Sequence, residues 1–132
     1  MAISYILDTS AYSAFNRGNA KLKPFFKGDA ALLLTIFVVS ELKAGFAAGN
    51  QRSANESLLQ RFLDSPNVQL ILPTLRTAEI FASLFADLRQ QGTPIGTIDI
   101  WIAASVIEHG SKLVTLDADF KHVKGLELAV IG

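Results

Sequence analysis

The chain has 132 residues, 12 Lys+Arg against 12 Asp+Glu, no cysteine and a hydrophobic fraction of 50%. At roughly 100–200 residues per domain this length describes one domain, 1–132, able to bury about two-thirds of its extended surface without disulfides or a structural metal. The lack of Cys excludes a disulfide scaffold, thiolate zinc sites, iron–sulfur clusters and cysteine nucleophiles, and the zero net charge removes the bulk electrostatic argument for a nucleic-acid binder.

The first eight residues carry no basic n-region and reach a carboxylate at Asp8, unlike a signal peptide. Ile3–Leu7 is rich in β-formers and runs into Asp8-Thr9-Ser10, which predicts a strand followed by a helix start with Thr9 or Ser10 as N-cap. Ala30–Phe37 is a continuous apolar run, the pattern of a strand buried on both faces. A helix is predicted over Val38–Gly49, with Val38, Leu42, Gly45 and Phe46 on one stripe and Gly49 as its stop. The most apolar stretch, Ala30–Val39, is far shorter than the ~20 residues of a spanning helix, so the expectation is a soluble cytoplasmic protein with no membrane anchor.

Ser53-Ala54-Asn55-Glu56 has the form of a capping box ahead of a stripe of Leu58, Leu59, Phe62 and Leu63. Asn67–Leu72 reads as a strand closed by Pro73. Thr74 then caps a long helix whose face is Thr77, Ile80, Phe81, Leu84 and Leu88. Residues 92–96 form a loop, and a helix follows over Thr97–His109, ending at Gly110. Lys112–Thr115 and Leu126–Ile131 are the last two strands. Alternating helices and apolar strands imply an α/β fold, a sandwich with a mainly parallel central sheet, whose ligands bind beyond the carboxyl ends of the strands.

Four carboxylates break this pattern. Asp8 directly follows the first strand, where a helix-capping role is the bland alternative. Glu41 lies on the margin of a stripe facing the sheet, where a lone charge is costly unless paired or metal-bound, or else solvated at the edge. Asp99 heads a stripe of Ile102, Ala103, Val106 and Ile107. A favourable interaction with the helix dipole explains its place along the helix but not its inward direction. Asp117 follows a late strand, with Asp119 two residues on, and a polar turn is the alternative for both.

Together these acids fall on one rim of one sheet, where they raise each other's pKa unless a cation neutralises them. Oxygen-only ligands with no Cys and no well-placed His suit Mg²⁺ or Mn²⁺ rather than zinc. Such a centre serves phosphoryl chemistry, which points to a metal-dependent phosphodiesterase or nuclease. Asp8, Asp99 and Asp117 are the candidate metal ligands and Glu41 the group that orients or deprotonates water. The hydroxyls of Thr9, Ser10 and Thr115, with Asp119, are candidates to position water or a substrate phosphate, capping being the alternative for Thr9 and Ser10.

Four blocks of the sequence resemble the PIN-domain ribonucleases, specifically the VapC toxins of bacterial toxin–antitoxin pairs. They are Ile6-Leu7-Asp8-Thr9-Ser10-Ala11, Ser40-Glu41-Leu42-Lys43-Ala44-Gly45, residues 92–104, and Leu113-Val114-Thr115-Leu116-Asp117-Ala118-Asp119-Phe120, and the third is the most specific. The resemblance implies a three-layer α/β/α sandwich, a Mg²⁺ or Mn²⁺ site and endonucleolytic cleavage of RNA. By position, Asp8, Glu41 and Asp99 match the three core acids of the family, Asp117 the more variable fourth, and Thr115 the hydroxyl residue beside that site. The chain departs from the pattern at Ile98, where Asn often precedes the third acid. The resemblance also implies a homodimer and a VapB-like antitoxin inserting near the acidic pocket, often with an Arg or Lys.

His109 and His122 face no candidate base and read as surface or capping residues. Trp101, Phe81, Phe85, Phe62 and Phe46 read as core or dimer-interface residues. Arg17, Lys21, Lys23 and Lys27, interleaved with Phe15, Phe25 and Phe26, suit either a phosphate backbone or an antitoxin helix, and otherwise form a solvated face. Lys43, Arg89, Lys112, Lys121 and Lys124 are further candidates for an RNA-binding rim. Two other classes compete. A phosphoacceptor switch of the receiver type also places acids at strand ends, but shows two adjacent acids after its first strand, where this chain has Asp8 and Thr9. A catalytically weak binding module of the same fold is the other, and the presence of all four acids argues against it.

Overall fold

A computed structural model of the chain describes residues 3–130. Its elements in order are β1 (Ser4–Leu7), α1 (Thr9–Asn16), α2 (Lys23–Lys27), β2 (Ala31–Thr35), α3 (Ile36–Ala48), α4 (Arg52–Leu63), β3 (Val68–Ile71), α5 (Leu75–Gln91), α6 (Thr97–His109), β4 (Lys112–Val114), a 3₁₀ turn (Ala118–His122) and β5 (Leu128–Val130). The five strands form one sheet in the order β3-β2-β1-β4-β5, every neighbouring pair parallel. Ile6 lies opposite Leu33 on one side and Leu113 on the other, so the centre of the sheet is wholly apolar. Ile6, Leu7, Leu34, Leu113 and Val114 are all fully buried, which is what continuous apolar strands require.

The strand order positions the site. From β1 the chain winds outward through β2 to β3, then returns to the other side of β1 for β4 and β5. Right-handed crossovers in opposite directions place helices on both faces and leave a crevice at the carboxyl ends of β1 and β4, where the order reverses. Asp8 and Thr115 lie at those two ends. The Asp8 amide donates to the Val114 carbonyl at 3.3 Å, which ties the two ends together.

Several boundaries differ from the sequence-based expectation. Asp8, rather than Thr9 or Ser10, is the N-cap of α1, its carboxylate accepting from the Ala11 amide. The apolar run 30–37 is divided: the strand stops at Thr35, whose hydroxyl accepts from the Val38 amide at 3.1 Å, so Ile36 and Phe37 open α3. α4 begins at Arg52 with no side-chain cap, and Glu56 pairs with Lys43 at 2.6 Å instead of closing a box with Ser53. α2 has no counterpart among the predicted elements; it is five residues long with Pro24 in its first turn. Thr74 does cap α5, in a reciprocal box with Thr77. α6 runs over the predicted residues and ends at Gly110 in the left-handed conformation, φ 61°. The last strand is Leu128–Val130, and Ile131 lies outside the described residues.

The α5–α6 hairpin is joined at its far end by Glu108, which accepts hydrogen bonds from Thr74 and Thr77. Phe37 of α3 joins Trp101, Phe81 and Phe85 of this hairpin in a stacked row, with ring centres 5.1, 4.3 and 6.0 Å apart in succession. No helix among the described residues is long and apolar enough to cross a membrane.

Candidate active site

Asp8 is the best-buried acid of the chain, 4% exposed, at the crevice between β1 and β4. Two hydroxyls and an amide hold it. Oδ1 accepts from the Ala11 amide at 2.8 Å and from Ser10 Oγ at 2.7 Å, while Oδ2 accepts from Thr115 Oγ1. The protons of both hydroxyls are directed by backbone amides. Leu116 N donates to Ser10 Oγ at 3.1 Å and Asp117 N to Thr115 Oγ1 at 3.0 Å, so each hydroxyl gives its own proton to Asp8. Burial pushes the Asp8 carboxyl above the usual carboxylate range, the hydrogen bonds from Thr115, Ser10 and Ala11 pull it back, and the charge of Asp117 adds to the rise.

Asp99 occupies the first turn of α6, half-buried, with Ile102, Ala103 and Val106 fully buried on the stripe behind it. Its carboxyl is pushed up to about 6, first by burial and then by the charges of Asp117, Glu41, Asp8 and Asp119. Five acids from four separate segments thus share one electrostatic neighbourhood, as the sequence pattern predicts. Glu41, on the second turn of α3, is half-buried and accepts from Thr9 Oγ1 at 2.6 Å. Asp117 caps the 3₁₀ turn by accepting from the Asp119 amide at 2.9 Å, and Asp119 itself is exposed.

The donor set is made of oxygens alone, and its uncompensated negative charge is the property that favours a divalent cation. Among the described residues no three acidic or histidine side chains converge on one point as they stand. Asp99 and Asp117 are both half-buried. In kind the residues suit a hard cation, and Asp8 is the acid held by the most hydrogen bonds.

Three features escaped the sequence reading. Asp8 is both the cap of α1 and a member of the acidic cluster, so the bland and functional roles coincide. Thr9 and Ser10 do not cap; they hydrogen-bond the carboxylates of Glu41 and Asp8. Among the basic candidates, Lys43 is engaged by Glu56, and Lys112 begins β4 and so lies at the rim opposite the acids. His109 and His122 are exposed. A separate apolar cleft of about 400 Å³ is lined by Phe15, Phe26, Leu32, Leu58 and Phe62, with Arg61 at its edge, and contains none of the acids.

The model of the PIN domain family matches residues 5–126. Ribonuclease VapC1 of Rickettsia felis is 33% identical over 128 residues, 96% of this chain and 95% of that protein. VapC ribonuclease Y4jK of Sinorhizobium fredii is 27% identical over 131 residues, 93% and 94% of the two chains. Among solved structures, that of VapBC2 from Rickettsia felis bound to a DNA fragment from its promoter superimposes with a TM-score of 0.87 at 24% identity, covering 96% of this chain and 98% of that one. VapBC-1 from nontypeable Haemophilus influenzae gives a TM-score of 0.85 at 19% identity, covering 96% and 97%. These structures share the fold of this chain.

Proposed function

The chain belongs to the PIN domain family, and from that premise we propose that it is a Mg²⁺- or Mn²⁺-dependent endoribonuclease acting in the cytoplasm as the toxin of a type II toxin–antitoxin pair. The observation that carries the proposal is that the charges of Asp8, Glu41 and Asp117 act together on Asp99 beside the switch point of the sheet, its carboxyl being pushed up to about 6 by burial and these neighbours. The names of the relatives, ribonucleases of the VapC group, support the choice of RNA as substrate.

Asp8, Asp99 and Asp117 would hold the cation. When bound, it supplies charge neutralisation at the rim and polarises the scissile phosphate. The remaining work falls to the chain's own groups. Ser10 and Thr115 fix Asp8 against rotation by donating to its two oxygens, and the β1–β4 pairing sets the distance between the segments carrying Asp8 and Asp117. Glu41 keeps one carboxylate oxygen free of intramolecular donors, its other oxygen being held by Thr9, and it accepts a proton from the attacking water.

Two surfaces suit the partners of this reading. The cleft lined by Phe15, Phe26, Leu58 and Phe62 offers an apolar seat for a helix of a VapB-like antitoxin, with Arg61 at its edge for a carboxylate. The stacked row of Phe37, Trp101, Phe81 and Phe85 is the surface we assign to a homodimer, since Phe85 is 36% exposed while the others are half-covered. The test is direct: the purified chain, freed of any antitoxin, cleaves RNA internally with Mg²⁺ and stops in excess EDTA. Undiminished cleavage in EDTA refutes the metal site, and no cleavage with either cation refutes the enzymatic reading.

A further inference from the structure

We propose that Thr9 is a positioning residue for Glu41, its hydroxyl engaging Oε1 so that Oε2 is the oxygen that receives the proton of the attacking water. This rests on the hydrolytic reading above and replaces the expectation that Thr9 contacts water or a substrate phosphate itself.

Thr9 opens α1 directly after Asp8, and its Oγ1 donates to Glu41 Oε1 at 2.6 Å across the α1–α3 contact. A hydroxyl has one proton, so while Thr9 gives it to Glu41 none remains for a phosphate oxygen. Glu41 needs such a tether. Its charge stands among those that push the Asp99 carboxyl up, and the repulsion is mutual, so electrostatics alone favours a rotamer turned out to solvent. Among the described residues the only ion pairs are Lys43–Glu56 and Arg76–Glu79, and no cationic side chain holds Glu41 in place. Thr9 is the one hydrogen-bond partner that its carboxylate has there. Glu41 stands on α3, whereas Asp8, at the end of β1, has three donors of its own.

The division of labour follows. Ser10 and Thr115 hold Asp8, and Thr9 holds Glu41, so the Asp8-Thr9-Ser10 tripeptide aims two carboxylates from one helix start. In the hydrolytic step water gives one proton to Glu41 Oε2 and its oxygen bonds to phosphorus. The bond from phosphorus to the leaving ribose oxygen breaks with its electron pair on that oxygen, which takes a proton from solvent.

Thr9→Val keeps the shape and removes the hydroxyl; Thr9→Ser keeps the hydroxyl. With purified protein and saturating Mg²⁺, Thr9→Val is expected to lower kcat about 10- to 100-fold, the scale of a misplaced general base. KM and the thermal unfolding midpoint stay near wild type, and Thr9→Ser recovers kcat to within about threefold. Thr9→Ala, which adds no bulk, must behave as Val does. The proposal is overturned if the hydroxyl-less variants keep kcat within about twofold, if Ser is as slow as Val, or if the loss falls on KM, since that marks a substrate contact. A wild-type protein without any cleavage activity overturns the proposed function instead, and the two failures are separate readings of one experiment.

Discussion

Replacing Asp99 by Asn should stabilise the metal-free protein while disabling its site. The Asp99 carboxyl, ordinarily at 3.8, is pushed up to about 6 by burial and by Asp117, Glu41, Asp8 and Asp119. Two pKa units correspond to about 3 kcal/mol of penalty on the charged form. Asp99 is only half-buried, so solvent screening reduces this to about 1–2 kcal/mol. The sign follows from the raised value. An acid that binds its proton more tightly in the folded state costs nothing below its unfolded pKa, and its penalty sets in as pH rises from about 4 to about 6. Above that range the penalty is complete. For a chain of this size the Asn variant should then unfold about 3–8 °C higher than wild type in EDTA at neutral pH. The gap should close as pH falls to about 4, where wild-type Asp99 is protonated. Thermal unfolding followed by far-ultraviolet circular dichroism at several pH values measures both. A variant equal to or less stable than wild type at neutral pH, or a gap that does not depend on pH, refutes the electrostatic reasoning.

Other consequences are as direct. Thr77→Val removes one of the two hydroxyl donors to Glu108 and should cost about 1 kcal/mol, read as a lower urea midpoint. Slight burial raises the Glu108 carboxyl, the hydrogen bonds from Thr74 and Thr77 outweigh it, and the result lies below the usual glutamate range. The clamp therefore contributes fully above the unfolded glutamate pKa and is lost as pH falls through the lowered one. Thr77 Oγ1 also accepts from the Thr74 amide, so part of the Thr77→Val deficit persists in acid, and a deficit that does not shrink there at all contradicts this assignment. Leu58→Glu, at a residue 40% exposed on the lip of the apolar cleft, should leave folding and RNA cleavage intact but abolish co-purification with a co-expressed antitoxin. Retention of the complex would exclude the cleft as its seat. With zero net charge, RNA binding in Mg²⁺ should show a shallow salt slope set by a few Lys and Arg contacts. A steep slope in metal-free buffer would show a basic surface that the chain's charge does not suggest.

Much of the architecture is visible in the order of apolar runs, and α6 is legible to the residue because a four-residue apolar stripe and a terminal Gly110 frame it. The β2–α3 junction is not, because Ile36 and Phe37 continue the apolar pattern of the strand. The turn is made by Thr35, whose capping hydroxyl is the single polar mark in the run. α2 is too short for any periodicity to register, and the apparent box at Ser53 fails because Glu56 is drawn to Lys43 on the neighbouring helix. At the site, the acids stand out where charge interrupts apolar surroundings. The hydroxyls of Thr9, Ser10 and Thr115 do not announce their targets. Which carboxylate each one meets depends on the α1–α3 contact and the β1–β4 pairing, neither of which local sequence encodes.

If Asp8 and Asp99 form part of one cation-dependent hydrolytic centre, losing either carboxylate must disable cleavage. Cleavage of an RNA substrate should be measured against Mg²⁺ concentration for the wild type, Asp8→Asn and Asp99→Asn, with folding checked by circular dichroism. Asn at position 8 keeps a capping oxygen for α1, so both variants should fold. The result predicted is metal-dependent cleavage by the wild type and loss of at least about 100-fold in each folded variant at every Mg²⁺ concentration. Cleavage at the wild-type rate by either folded variant would contradict it.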